Sequence, residues 1–279
     1  MQFGVVALLD DRSVPITDLA RAVEAAGLES LFLTEHTHVP VRRETDWPSG
    51  RIPRDEARFL DPLVALTAAA MVTNRIRVGT GVCLVSERDP IVLAKQVATL
   101  DHLSNGRCIF GVGAGWVKEE LRNHGTDPNH RWGIAEERVR AIREIWTHDE
   151  AEFHGRYVNF DAIWSWPKPV QRPHPPILIG GNGPRTLERV LTIGDGWMPV
   201  VTPNLNLRAR IDELGQLAQS AGKAAPPTTA CLWRLDEAQV RRAQADGARR
   251  CVVNIPVSSM REATDALGRY SKMVTDLSS

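Results

Sequence analysis

Eight short apolar segments alternate along this chain with longer segments of helical periodicity, and this alternation limits the fold more than any other feature. Alternating strands and helices build parallel sheets, because each helix returns the chain to the end at which the next strand begins. The predicted strands are Phe3–Leu9, Ser30–Thr34, Ile76–Leu84, Arg107–Val112, Ile177–Gly180, Gly196–Val201, Thr228–Arg234 and Arg250–Ile255. Eight such repeats in 279 residues favour one closed (β/α)₈ barrel, a single domain over residues 1–279.

Proline marks the start of several predicted helices, because proline in the first helical turn gives up no hydrogen bond that the helix needs. These helices are predicted over Ile16–Ala26, Leu63–Val72, Ile91–Leu103 and Arg185–Ile193. Gly27 follows the first of them and suits the left-handed conformation that ends many helices.

Two stretches exceed a minimal barrel, and we predict that both are insertions at the C-terminal face of the strands. The first, His36–Leu60, is rich in Arg, Pro and Asp, and the second, Glu150–Pro176, is rich in aromatic residues and proline. Long loops in a compact domain usually cover or form a binding site.

Composition excludes several classes of function. The 34 basic and 34 acidic residues cancel, so no net positive charge is available to bind nucleic acid or an anionic membrane. No apolar run approaches the roughly 20 residues that cross a bilayer, and the amino terminus has no signal-peptide pattern. The four cysteines are widely spaced in apolar segments, which indicates buried reduced thiols and a cytoplasmic protein.

The second predicted strand delivers Glu35 and His36 to the C-terminal face, which carries the active site in barrels of this class. Histidine exchanges protons near neutral pH, so both residues are candidate catalytic groups, and a purely structural pair is the alternative. His38 is a weaker candidate. His36 and His38 also resemble the paired histidines of barrel metallohydrolases, but the later strands offer no further histidine ligands, so we predict no metal site.

Glycines at the ends of the third and fourth strands are candidate ligand contacts. The third strand contains Gly79 and Gly81, which indicate either a bulge against a flat ligand or a glycine kink at a barrel corner. The fourth runs into Gly113, Ala114, Gly115 and Trp116, where glycines allow a ligand close to the backbone. Of the tryptophans in predicted strand-end loops, only Trp116 is expected to line a pocket.

The end of the fifth strand is the better candidate for binding a phosphate. It reads Gly180, Gly181, Asn182, Gly183, Pro184 and Arg185, directly before a helix. Exposed backbone N–H groups, the helix dipole and the guanidinium of Arg185 all favour an anion there.

Taken in order, blocks of this sequence resemble the luciferase-like monooxygenase superfamily, in particular its actinobacterial branch of F420-dependent oxidoreductases. The matching blocks are Thr34-Glu35-His36, Gly79-Thr80-Gly81-Val82, Asp89-Pro90, Ala94-Lys95-Gln96, Ala98-Thr99-Leu100-Asp101, Leu103-Ser104-Asn105-Gly106-Arg107, Gly111-Val112-Gly113-Ala114-Gly115-Trp116, Pro167-Lys168-Pro169-Val170-Gln171, Pro175-Pro176-Ile177, Gly180-Gly181-Asn182 and Gly194-Asp195-Gly196-Trp197. The resemblance implies a luciferase-like TIM barrel and covers most of the chain.

The resemblance also implies a cofactor site. A tricyclic ring, that of F420 or alternatively of FMN, would lie against the third-strand bulge of Gly79, Thr80, Gly81 and Val82. Related proteins hold a non-proline cis peptide there, and the matching bond is Gly81–Val82. Gly180 to Gly183 would hold the cofactor phosphate, and His36 falls on the position of the family's active-site histidine.

One position departs from the family. Where sugar-phosphate and alcohol dehydrogenases of the group have an acidic proton donor, this chain has Trp116, which argues against those two activities. The expected reaction is hydride transfer between reduced deazaflavin and a small organic substrate, with His36 handling the proton. The alternatives are an FMN-dependent monooxygenase fed by a separate reductase, a cofactor-binding or storage protein without turnover, and a zinc hydrolase. A homodimer is expected because relatives are commonly dimers.

Overall fold

The computed structural model describes residues 1–47 and 53–278, so residues 48–52 of the first insertion lie outside the described part. The strands are β1 (Gln2–Ala7), β2 (Ser30–Leu33), β3 (Arg77–Thr80), β4 (Cys83–Leu84), β5 (Cys108–Gly113), β6 (Glu150–His154), β7 (Asn159–Trp164), β8 (Ile177–Gly180), β9 (Gly196–Met198), β10 (Thr229–Leu232) and β11 (Arg250–Asn254). The helices are α1 (Ile16–Ala25), α2 (Pro53–Glu56), α3 (Pro62–Met71), α4 (Pro90–Leu103), α5 (Lys118–Asn123), α6 (Arg131–Thr147), α7 (Thr186–Ile193), α8 (Leu207–Ser220), α9 (Glu237–Ala245) and α10 (Met260–Ser278).

The predicted parallel barrel is confirmed. Strands pair in the order β10-β11-β1-β2-β3-β5-β8-β9, and every pairing along this path is parallel. Isolated parallel bridges from Trp197 to Thr228 and from Val200 to Cys231 join β9 to β10 and bring the ring close to closure. The predicted third strand is divided, because β3 pairs with β2 and β5 before the chain bends and β4 pairs further along β5.

The barrel interior explains why residue 79 is glycine. Seven barrel strands each contribute one side chain to a central cluster, namely Val6, Phe32, Ile109, Leu178, Met198, Cys231 and Val252. The eighth, β3, contributes Gly79, where a Cβ atom would lie 2.6 Å from the ring of Phe32. The Phe32 ring therefore takes the space that a side chain on β3 would fill.

Capping follows the sequence signals. The Asp61 side chain accepts hydrogen bonds from the N–H groups of Leu63 and Val64 at the start of α3, and Asp89 caps α4 in the same way. Gly27 has a φ of 73° after α1, as predicted.

The two insertions take different positions. The first follows β2 and lies at the C-terminal end of the barrel strands, as predicted. The second was predicted at the same face, and this prediction is wrong, because the segment connects the end of α6 to the start of β8. It forms the β6–β7 hairpin, which packs along the outside of α6, where Glu137 accepts hydrogen bonds from the N–H groups of Arg156 and Tyr157.

In the described part of the chain, no helix is both long and apolar enough to cross a membrane. The four cysteines, Cys83, Cys108, Cys231 and Cys251, are free and buried, as predicted.

Candidate active site

A cleft of about 490 Å³ opens at the C-terminal end of the barrel strands. Its lining comes from the bend after β3, the ends of β5 and β8, and the first turns of α6 and α7. Residues expected from the sequence in this lining are Val82, Gly113, Ala114, Gly115, Trp116, Gly180, Gly181, Gly183 and Arg185. The glycine loops after β5 and β8 and the bend after β3 thus face one shared cavity, of a size usual for a ligand site.

Close packing at the floor of the cleft requires glycine. The Gly81–Val82 peptide is cis, as the family resemblance implied. The Val82 side chain then lies between the ends of β5 and β8, because a Cβ at Gly113 would come within 2.6 Å of Val82 Cγ2 and a Cβ at Gly180 within 2.9 Å of Val82 Cγ1. Larger residues at either position would displace Val82.

Other residues predicted to bind the cofactor lie in the barrel wall or beside the cleft. Gly79 and Gly81 pack against Phe32, and the buried Thr80 hydroxyl donates to the carbonyl of Gly111. The Asn182 amide donates to the carbonyl of Val200 at 2.7 Å, which ties the glycine loop to the chain after β9. For Gly79, the glycine kink is the alternative that the packing supports.

Arginine side chains give the cleft a cationic rim. Arg185 was expected, whereas sequence reasoning missed Arg131 and Arg189. Arg189 packs over the ring of Trp132 at 4.3 Å and pairs with Glu136. The buried Nε of Arg131 has no hydrogen-bond partner among the described residues. An Arg-Trp pair in the first turn of a helix at this pole was the available signal, and the rim suits an anionic group.

His36 lies at the same pole as the cleft, and its imidazole contacts two carboxylates. Its Nδ1 is 2.8 Å from Glu120 Oε2 and its Nε2 is 3.5 Å from Glu56 Oε2. All three side chains are buried. A buried histidine with a carboxylate on Nδ1 is held in one orientation, which suits a group that exchanges protons.

Aromatic rings cover His36. Its ring centroid lies 5.8 Å from those of Trp47 and Trp116 and 6.3 Å from that of Phe59. His36 is only 6% exposed and does not line the cleft. Trp116 lines the cleft and also contacts the His36 ring. Trp116 therefore lies between the imidazole and the cleft.

Glu35, the second predicted catalytic residue, has its oxygens bound by neighbouring groups. It accepts hydrogen bonds from the Arg88 guanidinium and, at 2.6 Å, from the N–H of Leu84. Arg88 also pairs with Asp61, the N-terminal cap of α3. Glu35 therefore joins β2, β4 and α3 together, which is the structural alternative weighed for it from the sequence.

A further buried acid, which sequence reasoning missed, lies under the glycine loop. Glu87 is 8% exposed, and neither of its carboxyl oxygens has a hydrogen-bond partner in the described part of the chain. Burial, together with the nearby Glu120 and Glu35, raises the pKa of Glu87 to about 9. The group is therefore an uncharged acid at neutral pH. The sequence carries no signal for this burial, because Gly115, against which Glu87 packs, is distant along the chain.

His38 lies in a small surface network with His124. The two rings are 5.3 Å apart, and each contacts the Thr37 hydroxyl. Within residues 1–47 and 53–278, no group of three or more His, Cys, Asp or Glu side chains is arranged to hold a metal ion, so the zinc alternative gains no support.

Known proteins match this chain along most of its length. The family model described as luciferase-like monooxygenase matches residues 1–266. An uncharacterised protein of Mycobacterium tuberculosis is 42% identical over 230 residues, which are 81% of this chain and 79% of that protein. The F420-dependent glucose-6-phosphate dehydrogenase of Amycolatopsis mediterranei is 30% identical, over 76% of this chain and 60% of its own length.

Two further relatives show the range of the group. The FMNH₂-dependent dimethylsulfone monooxygenase of Pseudomonas putida is 33% identical over 48% of this chain and 38% of its own length. The solved structure of an F420-dependent secondary alcohol dehydrogenase, in complex with an F420–acetone adduct, superposes with a TM-score of 0.80 at 20% identity and covers 98% of both chains. Fold, cleft and relatives agree, and the chain belongs to the luciferase-like monooxygenase family.

Proposed function

We propose that this protein is an F420-dependent oxidoreductase that transfers a hydride between the reduced deazaflavin and a small organic substrate. The observation that carries the proposal is the single cleft shared by the bend after β3 and the glycine loops after β5 and β8. The 30% identity to an F420-dependent dehydrogenase over 76% of the chain supports the choice of cofactor.

The residues present fit such a cofactor. Val82 with Gly113 and Gly180 forms a floor without projecting side chains, against which a flat ring can lie. Gly181 and Gly183 leave the backbone open, because a Cβ at either would meet no atom closer than 3.7 Å. The guanidinium groups at the rim offer a counter-charge for the phosphate. When bound, F420 supplies the hydride chemistry.

The chain's own residues would handle the proton and exclude water. His36 has Glu120 on one ring nitrogen, so its orientation is fixed, and we assign it the proton exchanged with substrate. Trp116 separates the imidazole from the cleft until substrate displaces it. We assign Glu35 the role of a positioning residue, which holds the N–H of Leu84 beside the cleft floor.

The second candidate is an FMN-dependent monooxygenase, supplied with reduced cofactor by a separate reductase. The 33% identity to an FMNH₂-dependent monooxygenase favours it, although this match covers 48% of the chain. The same cleft would hold the FMN ring and phosphate, so the geometry does not separate the two cofactors.

Titration of the purified protein with F420 and with FMN, followed by fluorescence, tests the proposal. We expect submicromolar to micromolar binding of F420, on the order of −8 kcal/mol, and at least about tenfold weaker binding of FMN. Preference for FMN, with oxygen consumed when the reduced complex meets air, would replace the proposal by the monooxygenase. Binding of neither would refute both.

We also propose a homodimer. Helix α3 contains no charged residue, and its side chains Val64 and Met71 are 72% and 62% exposed. Exposed apolar side chains on one face of a helix can mark a protein interface, and an uncharged face suits a second copy of itself. Sedimentation of the wild type and of Met71→Lys tests this proposal. We expect the wild type to sediment as a dimer and Met71→Lys as a monomer.

A further inference from the structure

Three side chains, those of His124, Thr37 and Glu120, connect the protein surface to His36. His124, whose side chain is 28% exposed, has its Nε2 2.8 Å from Thr37 Oγ1. Thr37 Oγ1 is 3.4 Å from Glu120 Oε1, and Glu120 Oε2 is 2.8 Å from His36 Nδ1. Each contact lies within reach of a proton transfer, although the middle one is long.

The hydrogen bonds around Thr37 determine which group donates a proton at each contact between His124 and Glu120. Asn123 donates to His38 Nε2 at 2.9 Å, so the neutral His38 ring carries its proton on Nδ1 and donates it to Thr37 Oγ1. When His124 carries a proton on Nε2, it donates to the same oxygen. Both lone pairs of Thr37 Oγ1 are then used, and its own proton is left to donate to Glu120.

Glu120 lies between Thr37 and His36. Its Oε1 also accepts the backbone N–H of Thr37 at 3.0 Å, and its side chain is 1% exposed. Because α5 carries Glu120 and the chain after β2 carries both His36 and Thr37, one carboxylate joins the two residues. A substitution that removes its charge therefore affects the histidine directly.

Glu87 lies beside the surface end of this series. Its Oε2 is 3.8 Å from His124 Nε2, and its uncharged state follows from burial near Glu120 and Glu35. Arg88, on the same turn, and Arg138, on α6, oppose that effect. Burial and the neighbouring His38 lower the pKa of His124, and Glu120 and Glu35 only partly oppose this effect.

We propose that His124, Thr37 and Glu120 form a proton path between the surface and His36, with Glu87 as a buried proton store beside it. In one passage, His124 gives its Nε2 proton to Thr37 Oγ1, and Thr37 gives its hydroxyl proton to the Glu120 carboxylate. The Glu120 carboxyl group then turns and gives this proton to Nδ1 of a neutral His36 that carries its own proton on Nε2. The net change is one neutral imidazole at His124 and one imidazolium at His36, and His124 regains a proton from water or from Glu87.

This inference rests on the proposed function only for the use that the proton serves, because the path consists of this chain's own side chains. The path delivers to His36 the proton that related dehydrogenases take from an acidic residue at the position of Trp116. Glu120 and Thr37 act through His36 and are positioning and relay residues rather than catalytic ones.

Proton exchange between water and the His36 imidazole, followed by NMR in the cofactor-free protein with nitrogen-labelled histidine, tests the path. Thr37→Val keeps the side-chain shape and the backbone N–H but removes the hydroxyl, and we expect exchange to slow by about tenfold or more. Thr37→Ser restores the hydroxyl and should restore the wild-type rate. Glu120→Gln, which cannot take up and release a proton as a carboxylate does, should slow exchange as Thr37→Val does.

Thr45→Val is the matched control, since Thr45 lies in the same insertion but donates to Glu119. It should not slow exchange. Wild-type exchange in Thr37→Val would overturn the path, and so would equal slowing in Thr37→Val and Thr37→Ser, which would indicate a structural effect. Because no cofactor is present, failure of F420 binding would leave this result unchanged, and the two proposals fail separately.

Discussion

Replacing Glu87 by glutamine should change how the stability of the protein depends on pH. In the folded protein the pKa of Glu87 is raised from 4.5 to about 9, whereas in the unfolded chain it returns to its ordinary value. Between these values the folded state binds one proton more than the unfolded state. The free energy of unfolding therefore decreases as pH rises through this window, by about 1.4 kcal/mol per pH unit.

From about pH 6 to about pH 8 this single group should lower the free energy of unfolding by about 3 kcal/mol. Glutamine has nearly the same size and no charge, so Glu87→Gln should lose this contribution and gain stability relative to wild type as pH rises. Urea unfolding of both proteins at several pH values measures the difference, in which contributions from other titrating groups cancel.

The exposed Glu237, paired with Arg241 on α9, provides a control, because an exposed carboxyl loses little hydration on folding. Glu237→Gln should leave the pH dependence unchanged. If the stability curves of Glu87→Gln and wild type run parallel across this range, Glu87 is ionised in the folded protein and the reasoning about the buried acid is wrong.

Three further predictions follow from buried contacts. Arg88→Ala leaves the Glu35 carboxylate buried without its guanidinium partner, so the free energy of unfolding measured in urea should fall by about 3–5 kcal/mol. Adding Glu35→Gln should recover part of this loss. A loss below about 1 kcal/mol would contradict the prediction. Gly113→Ala places a methyl group 2.6 Å from Val82 Cγ2, so cofactor binding measured by fluorescence should weaken about tenfold or more and recover with Val82→Ala; lack of recovery would count against the cleft floor. The buried thiols, among them Cys231 with its pKa raised by burial to about 12, should react with a disulfide reagent only in denaturant, and rapid labelling of the native protein would disagree.

The barrel could be predicted because its determinants are local. The apolar run Ile177–Gly180 coincides with the observed strand β8, and Asp61 and Pro62 mark the start of α3. The position of the second insertion could not be predicted, because the β6–β7 hairpin packs along α6 through contacts distant in sequence. The aromatic and proline content of a loop does not indicate at which end of the barrel the loop lies.

For the site, the glycine loops could be predicted and the acids could not. A glycine at the end of a strand usually indicates a turn or a close approach to the backbone, whereas a glutamate such as Glu87 or Glu120 is usually exposed. The burial of Glu120 arises from the approach of α5 to the chain after β2, which depends on long-range packing. For the same reason the sequence did not show that Glu35 is bound by Arg88.

The central claim is that the glycine loop after β8 holds the cofactor phosphate, and Gly183→Asp tests it most directly. A Cβ at Gly183 meets only Thr186 Oγ1, at 3.7 Å, so the fold should tolerate the substitution while a carboxylate is placed in the phosphate site. Gly215→Asp on α8, where a Cβ meets nothing within 4 Å, is the matched control. The account predicts at least about 100-fold weaker F420 binding in Gly183→Asp, equivalent to about 2.8 kcal/mol, and wild-type affinity in Gly215→Asp; equal affinities in all three proteins would contradict it.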